Sequence, residues 1–145
     1  MLALLIVTLA STVTVPEQTP DAAAAANVEE PERATVEEGR LLYGIYCTSC
    51  HGLVGKGDGA TAKSLHPRPA DLTRLSRDND GEFPTARVIM GIDGRNRIPG
   101  HTKNQMPIWG LSLQEASSDT NQEQQVREKI LQLVDYLKTI QEPAD

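Results

Sequence analysis

At 145 residues the chain has room for one domain, because lengths of roughly 100–200 residues usually build a single core. Its net charge of −6 argues against a nucleic-acid binder, which needs clustered positive charge to neutralise phosphates. Hydrophobic residues make up 39% of the chain but aromatic residues only 3%, so the flat groups that usually fill a small core are scarce, and a bound apolar group is expected to fill it instead.

Residues 2–10 read LALLIVTLA, an apolar run shorter than the roughly 20 residues that a membrane-spanning helix needs. It resembles the apolar centre of a signal peptide, although no Lys or Arg precedes Arg33. Export with cleavage is therefore expected, with a single-span anchor as the alternative. Residues 16–34 are rich in Pro, Glu and Ala, include the run Ala22 to Ala26, and show no apolar periodicity. They are expected to be a flexible leader. The predicted organisation is a signal peptide or anchor plus leader over 1–34, a folded domain over 35–141 and a tail over 142–145.

The folded domain is predicted to open at Thr35, where Thr-Val-Glu-Glu offers a capping box between Thr35 and Glu38. In the helix that follows, Val36, Gly39, Tyr43, Tyr46, Cys47 and Cys50 recur at spacings of three or four and share one face. The middle of the chain holds Gly- and Pro-rich loops and one short helical candidate, Thr85 to Met90, closed by Gly91. Near the end, Val126, Ile130, Leu133, Val134, Leu137 and Ile140 form the strongest helical stripe. Thr120 with Glu123 offers a second capping box before it, and Pro143 lies beyond it. No alternating strand pattern of useful length occurs, so the fold class is all-α.

Cys47 and Cys50 are the only cysteines, and their spacing is too short for a long-loop disulfide. Cys47-Thr48-Ser49-Cys50-His51 is a complete C-x-x-C-H. Two thiols on one helical turn can add to the two vinyl groups along one porphyrin edge, which brings the next residue beneath the iron. His51 is then an axial ligand, and its other ring nitrogen needs an acceptor, for which the segment around Pro67 and Pro69 is the candidate. A redox dithiol of the thioredoxin kind would expect a βαβ context, which is missing. A structural zinc site needs four protein ligands, and there is no second cysteine pair.

A low-spin electron carrier needs a second strong axial ligand. Met1 is the initiator, Met90 falls in the short helical pattern, and Met106 stands in Gln105-Met106-Pro107-Ile108-Trp109-Gly110. Pro107 disfavours the helical region for Met106 and presents it from a stiff, extended loop. Met106 is therefore the expected sixth ligand, with His66 and His101 as rivals.

On these residues the chain resembles the class I c-type cytochromes, small bacterial monohaem proteins. The resemblance rests on Cys47-Thr48-Ser49-Cys50-His51-Gly52, on Gly55-Lys56-Gly57-Asp58-Gly59 followed by Pro67-Arg68-Pro69-Ala70-Asp71-Leu72-Thr73, and on Met106-Pro107-Ile108-Trp109-Gly110 before a closing helix. It covers roughly Thr35 to Gln141. It implies a cytochrome c fold, in which first and last helices cross nearly at right angles beside one covalent haem c. Gly39, Tyr43 and Tyr136 match the positions where a small residue permits that crossing and an aromatic seals it.

The glycines at 52, 55, 57 and 59 do not make a phosphate loop, because Lys56 is followed by Gly57 rather than Ser or Thr. Asp78-Asn79-Asp80-Gly81 fails as a calcium loop, since Ser76 and Arg87 fall where Asp and Glu are required, and a turn is expected there. Arg68, Arg95 and Arg97 are candidate partners for haem propionates, with plain surface exposure the commoner case.

The expected function is single-electron transfer by a periplasmic or inner-membrane-associated carrier in a respiratory or dehydrogenase chain, not enzymatic catalysis. Its expected partners are a redox donor and a redox acceptor, and it works as a monomer or as a subunit of a complex. The alternatives are a haem subunit of a larger oxidase or dehydrogenase, and a haem enzyme or gas sensor with an open sixth position.

Overall fold

A computed structural model of the chain describes residues 21–95, 106–114 and 121–143. They are all-α: α1 (Asp21–Tyr46), α2 (Thr48–His51), α3 (Thr85–Asp93), α4 (Trp109–Ser112) and α5 (Gln122–Thr139), with three short 3-10 turns between α2 and α3. No strand occurs among the described residues, and no helix among them is long and apolar enough to cross a membrane. The apolar run 2–10 lies outside the described residues.

The first helix starts earlier than the sequence predicts. It begins at Asp21 rather than Thr35, so residues 21–34, expected as flexible leader, are its opening turns. Alanine has the highest helix propensity, and the Ala22–Ala26 run carries this segment without an apolar stripe to announce it. Helix continues through Pro31 even though proline cannot donate to the preceding turn. Thr35 is consequently inside the helix, and its hydroxyl donates back to the Glu32 carbonyl at 2.7 Å instead of forming a capping box.

Helix α3 also overruns its prediction. Gly91 lies within it, and the helix stops at Gly94, whose left-handed backbone lets its N–H donate to the Met90 carbonyl at 3.0 Å. At the start of α5, Thr120 lies outside the described residues, and Asn121 at the cap position makes no side-chain cap bond. Glu123, the expected capping partner, turns its carboxylate to Arg95.

The apolar stripe of α5 does what its periodicity predicts: Val126, Ile130, Leu133, Val134 and Leu137 are buried, while Ile140 follows the helix end and is partly buried. These residues form one core with Tyr43 of α1, Ile92 of α3 and Leu113 after α4. Helices α1 and α5 pack so closely at Gly39 that a Cβ there would sit 1.9 Å from the Gln132 carbonyl oxygen and 2.9 Å from the Tyr136 Cβ. One turn along, the rings of Tyr43 and Tyr136 meet at 5.2 Å, tilted by 49°.

Past α5 the chain is tied back to the middle loop. Gln141 donates to the carbonyls of Leu72 and Leu137 at 2.8 and 2.7 Å, and accepts from the Ser76 N–H at 2.9 Å. The Glu142 N–H donates to the Thr73 carbonyl at 2.8 Å.

Because the obstacle at position 39 is backbone, which no rotamer change relieves, Gly39→Ala is expected to force the two helices apart. The expected loss is about 3 kcal/mol, seen as a lower midpoint in denaturant unfolding with little change in its slope.

Candidate functional site

Helix α1 ends at Tyr46, and the next five residues turn tightly on its last carbonyls. The Cys47 N–H still donates to the Tyr43 carbonyl at 2.9 Å, and the N–H groups of Cys50 and His51 both point to the Cys47 carbonyl, at 3.2 and 2.8 Å. That single turn is α2. It brings Cys47, Cys50 and His51 to the wall of one cavity of about 290 Å³, comparable with the smaller ligand sites of proteins. The lining is mostly apolar: Tyr43 and Tyr46 come from α1, Val88 and Ile92 from α3, and Leu133 and Leu137 from α5.

His51 is oriented by the loop opposite. Its Nδ1 lies 3.1 Å from the Ala70 carbonyl oxygen, an acceptor, so this nitrogen carries the proton and Nε2 keeps its lone pair. Burial holds the imidazole below its ordinary pKa against the opposing pull of that carbonyl, which keeps the ring neutral and fit to bind a metal. The acceptor falls in the segment that the sequence singles out, immediately after Pro69.

The two thiols are free and half-buried. Burial, reinforced by Cys50 nearby, pushes the Cys47 thiol up to about 12, the reverse of the activated thiolate that dithiol exchange requires. Cys50 Sγ lies 3.3 Å from Thr61 Oγ1. The Thr61 hydroxyl spends its one proton on the Ser49 carbonyl at 2.8 Å, so the Cys50 thiol is the donor in that contact.

The glycine-rich loop folds back over this turn. The N–H groups of Gly57, Gly59 and Thr61 donate to the carbonyls of His51, Cys50 and Ser49, at 2.9, 3.1 and 3.0 Å. Gly57 is required twice over, because its φ is +73° and a Cβ would lie 2.4 Å from the Pro69 carbonyl oxygen. Asp71 caps the 3-10 turn Leu72–Arg74 by accepting from the Thr73 N–H and hydroxyl at 2.9 and 2.6 Å. The Leu72 N–H donates to the Gly55 carbonyl at 2.7 Å, so the strand of chain that bears Ala70 is fixed on both sides.

Met106 reaches the same cavity from the far part of the chain. It is half-buried against the core and lines the cavity with Pro107 and Trp109. Trp109 packs on Tyr46 at 5.1 Å between ring centres. Met90 is exposed on α3, His66 is exposed, and neither lines the cavity; His101 lies outside the described residues. Arg68 stands exposed at the cavity's edge, and Arg97 lies outside the described residues. Among the described residues no cluster of three or more His, Cys, Asp or Glu side chains forms. Asp78-Asn79-Asp80-Gly81 forms the end of the 3-10 turn Arg77–Asn79 and its left-handed exit at Asp80, φ 55°, as expected of a turn.

Three residues that position the site carry no distinctive signal in the sequence. Ala70 acts through its backbone. Thr61 and Gln141 are ordinary polar residues whose partners lie far away in sequence. Asp71, two residues before Thr73, has the spacing of a turn cap that the sequence reading did not use. Compared with protein-family models, with characterised proteins and with solved structures, the chain finds no match.

The Tyr43 hydroxyl donates to the buried Gly52 carbonyl at 2.8 Å, tying α1 to the residue after His51; burial, chiefly, pushes this phenol above its ordinary pKa. Tyr43→Phe keeps the ring contact with Tyr136 but leaves that carbonyl only the long bond from the Gly55 N–H at 3.4 Å. A loss of about 1–2 kcal/mol is expected, measured as a lower thermal midpoint.

Proposed function

We propose that this protein is a c-type cytochrome of the class I kind, an exported carrier of single electrons rather than an enzyme. One observation carries the proposal: a C-x-x-C-H turn, a histidine with its Nδ1 already engaged and a remote methionine all open onto one apolar cavity. The residues fit the group. Cys47 and Cys50 would hold haem c as thioethers, and His51 Nε2 and Met106 Sδ would bind its iron. Haem c held there would supply a single-electron iron couple.

Each residue has a task in that role. Ala70 keeps His51 in one tautomer and one orientation, so the ligand does not rearrange when charge changes. A thioether at the sixth position favours the reduced state relative to a second imidazole. The apolar walls from α1, α3 and α5 keep water from the iron, and the scarcity of aromatic side chains leaves core volume for the macrocycle. The acidic surface suits a partner that is locally basic, and export places donor and acceptor in the periplasm or at the inner membrane.

Expression beside the haem-attachment machinery tests this. The purified protein is expected to weigh one haem more than its polypeptide, to keep that mass under denaturation, and to show Soret absorption. Its ferric spectrum is expected to carry a sulfur-to-iron charge-transfer band that Met106→Ala abolishes. A protein with the bare polypeptide mass and no Soret band overturns the proposal, and a five-coordinate high-spin wild type replaces the carrier with a haem enzyme or sensor.

A further inference from the structure

The guanidinium of Arg95 is clamped between two carboxylates from different helices. Its backbone N–H and Nε donate to Asp93 Oδ1 at 3.1 and 2.8 Å, and its Nη2 donates to Asp93 Oδ2 at 2.6 Å. Nη1 and Nη2 donate to the Glu123 carboxylate, both at 2.8 Å. With two edges of the fork engaged the group has little freedom, unlike a single exposed ion pair. It joins the end of α3 to the first turn of α5, and Arg95, a candidate propionate partner by sequence, does not line the cavity.

The segment that follows Met106 is seated on this cluster. Gly110 is buried, and a Cβ there would lie 2.5 Å from Arg95 Nε and 2.7 Å from Asp93 Oδ1. The two atoms are hydrogen-bonded to each other at 2.8 Å, so a side chain at position 110 would have to displace them together. At the adjoining step, a Cβ on Gly94 would come within 3.3 Å of the Ile108 Cα. Between these contacts Trp109 packs on Tyr46. The residues just after Met106 are therefore gripped by the polar cluster and by the last aromatic of α1.

We infer that Asp93, Arg95 and Glu123 form a positioning cluster that, through Gly110, sets where Met106 stands in the cavity. The inference rests on the functional proposal above, since it concerns the presentation of the sixth ligand. Arg95 touches no reacting group and acts through the backbone it supports. Glu123 is largely exposed, so the cluster contributes little to global stability, and its effect is on register.

The test uses the ferric holoprotein with Arg95→Ala and Gly110→Ala, and with Arg40→Ala as the control. Arg40 makes a similar two-pronged pair with Glu37, at 2.8 and 2.6 Å, on the exposed side of α1. The measurements are the sulfur-to-iron band, the affinity of added imidazole for the iron in competition with Met106, and the near-ultraviolet circular dichroism of Trp109, the one tryptophan of the chain. Arg95→Ala and Gly110→Ala are expected to weaken the band, raise imidazole affinity about tenfold and diminish the Trp109 signal. Arg40→Ala is expected to change none of these.

Imidazole affinity within twofold of wild type in Arg95→Ala, or an equal shift in Arg40→Ala, overturns the inference. A wild type that carries haem but lacks the sulfur band overturns the ligand assignment and the inference with it, whereas an intact wild-type band with an unaltered Arg95→Ala overturns the inference alone.

Discussion

Helix α1 can lie on α5 only because residue 39 has no side chain, and the position of everything that follows α1 is referred to that contact. A Cβ at 39 meets the carbonyl of Gln132 at less than the contact distance of any two heavy atoms. With the helices in register there, Tyr43 reaches Tyr136 one turn later, and its hydroxyl reaches Gly52 beyond the cysteine turn. The same face of α5 that packs on α1 also supplies Leu133 and Leu137 to the cavity wall. One helix pair therefore provides both the anchor of the Cys47–His51 turn and part of the room beside it.

The loop from Gly52 to Ser76 holds no apolar stripe of its own, and its order comes from backbone hydrogen bonds to the elements around it. Such a segment pays for its order with conformational entropy, offset here by bonds to the cysteine turn on one side and by Gln141 and Glu142 on the other. The outcome is a fixed carbonyl at Ala70. A single backbone acceptor placed this way sets the tautomer of His51, which a side-chain carboxylate would do at the cost of a charge in an apolar wall.

Legibility in the sequence followed the range of the interaction. The C-x-x-C-H turn, the apolar stripe of α5 and the all-α class were readable because each depends on neighbours within a few residues. Helix ends were not. Ala22–Ala26 extended α1 through propensity alone, Gly91 was a plausible stop that α3 passed over, and Glu123, a suitable capping residue by spacing, was taken by Arg95 from just beyond α3. Arg95 illustrates the general limit: Asp93 is its neighbour in sequence, but only the meeting of α3 with α5 gives it the second carboxylate, Glu123. The acceptor for His51 was narrowed to a segment, but a backbone atom leaves no mark on residue type.

The two sides of the cavity are held by different physics. Cys47, Cys50 and His51 lie within five residues on one helical turn, so their mutual placement follows from local geometry and costs no loop closure. Met106 comes from a distant segment, and bringing it to the same cavity requires closing a long loop, an entropic cost that grows with the logarithm of its length. Local bonds cannot fix such a residue, and its position must be fixed by contacts made after the helices have packed. Trp109 on Tyr46, Ile108 against Gly94 and Gly110 against Arg95 are contacts of that kind. The methionine side is therefore held by long-range contacts alone, whereas on the histidine side local geometry sets the spacing of the three residues before any long-range contact forms.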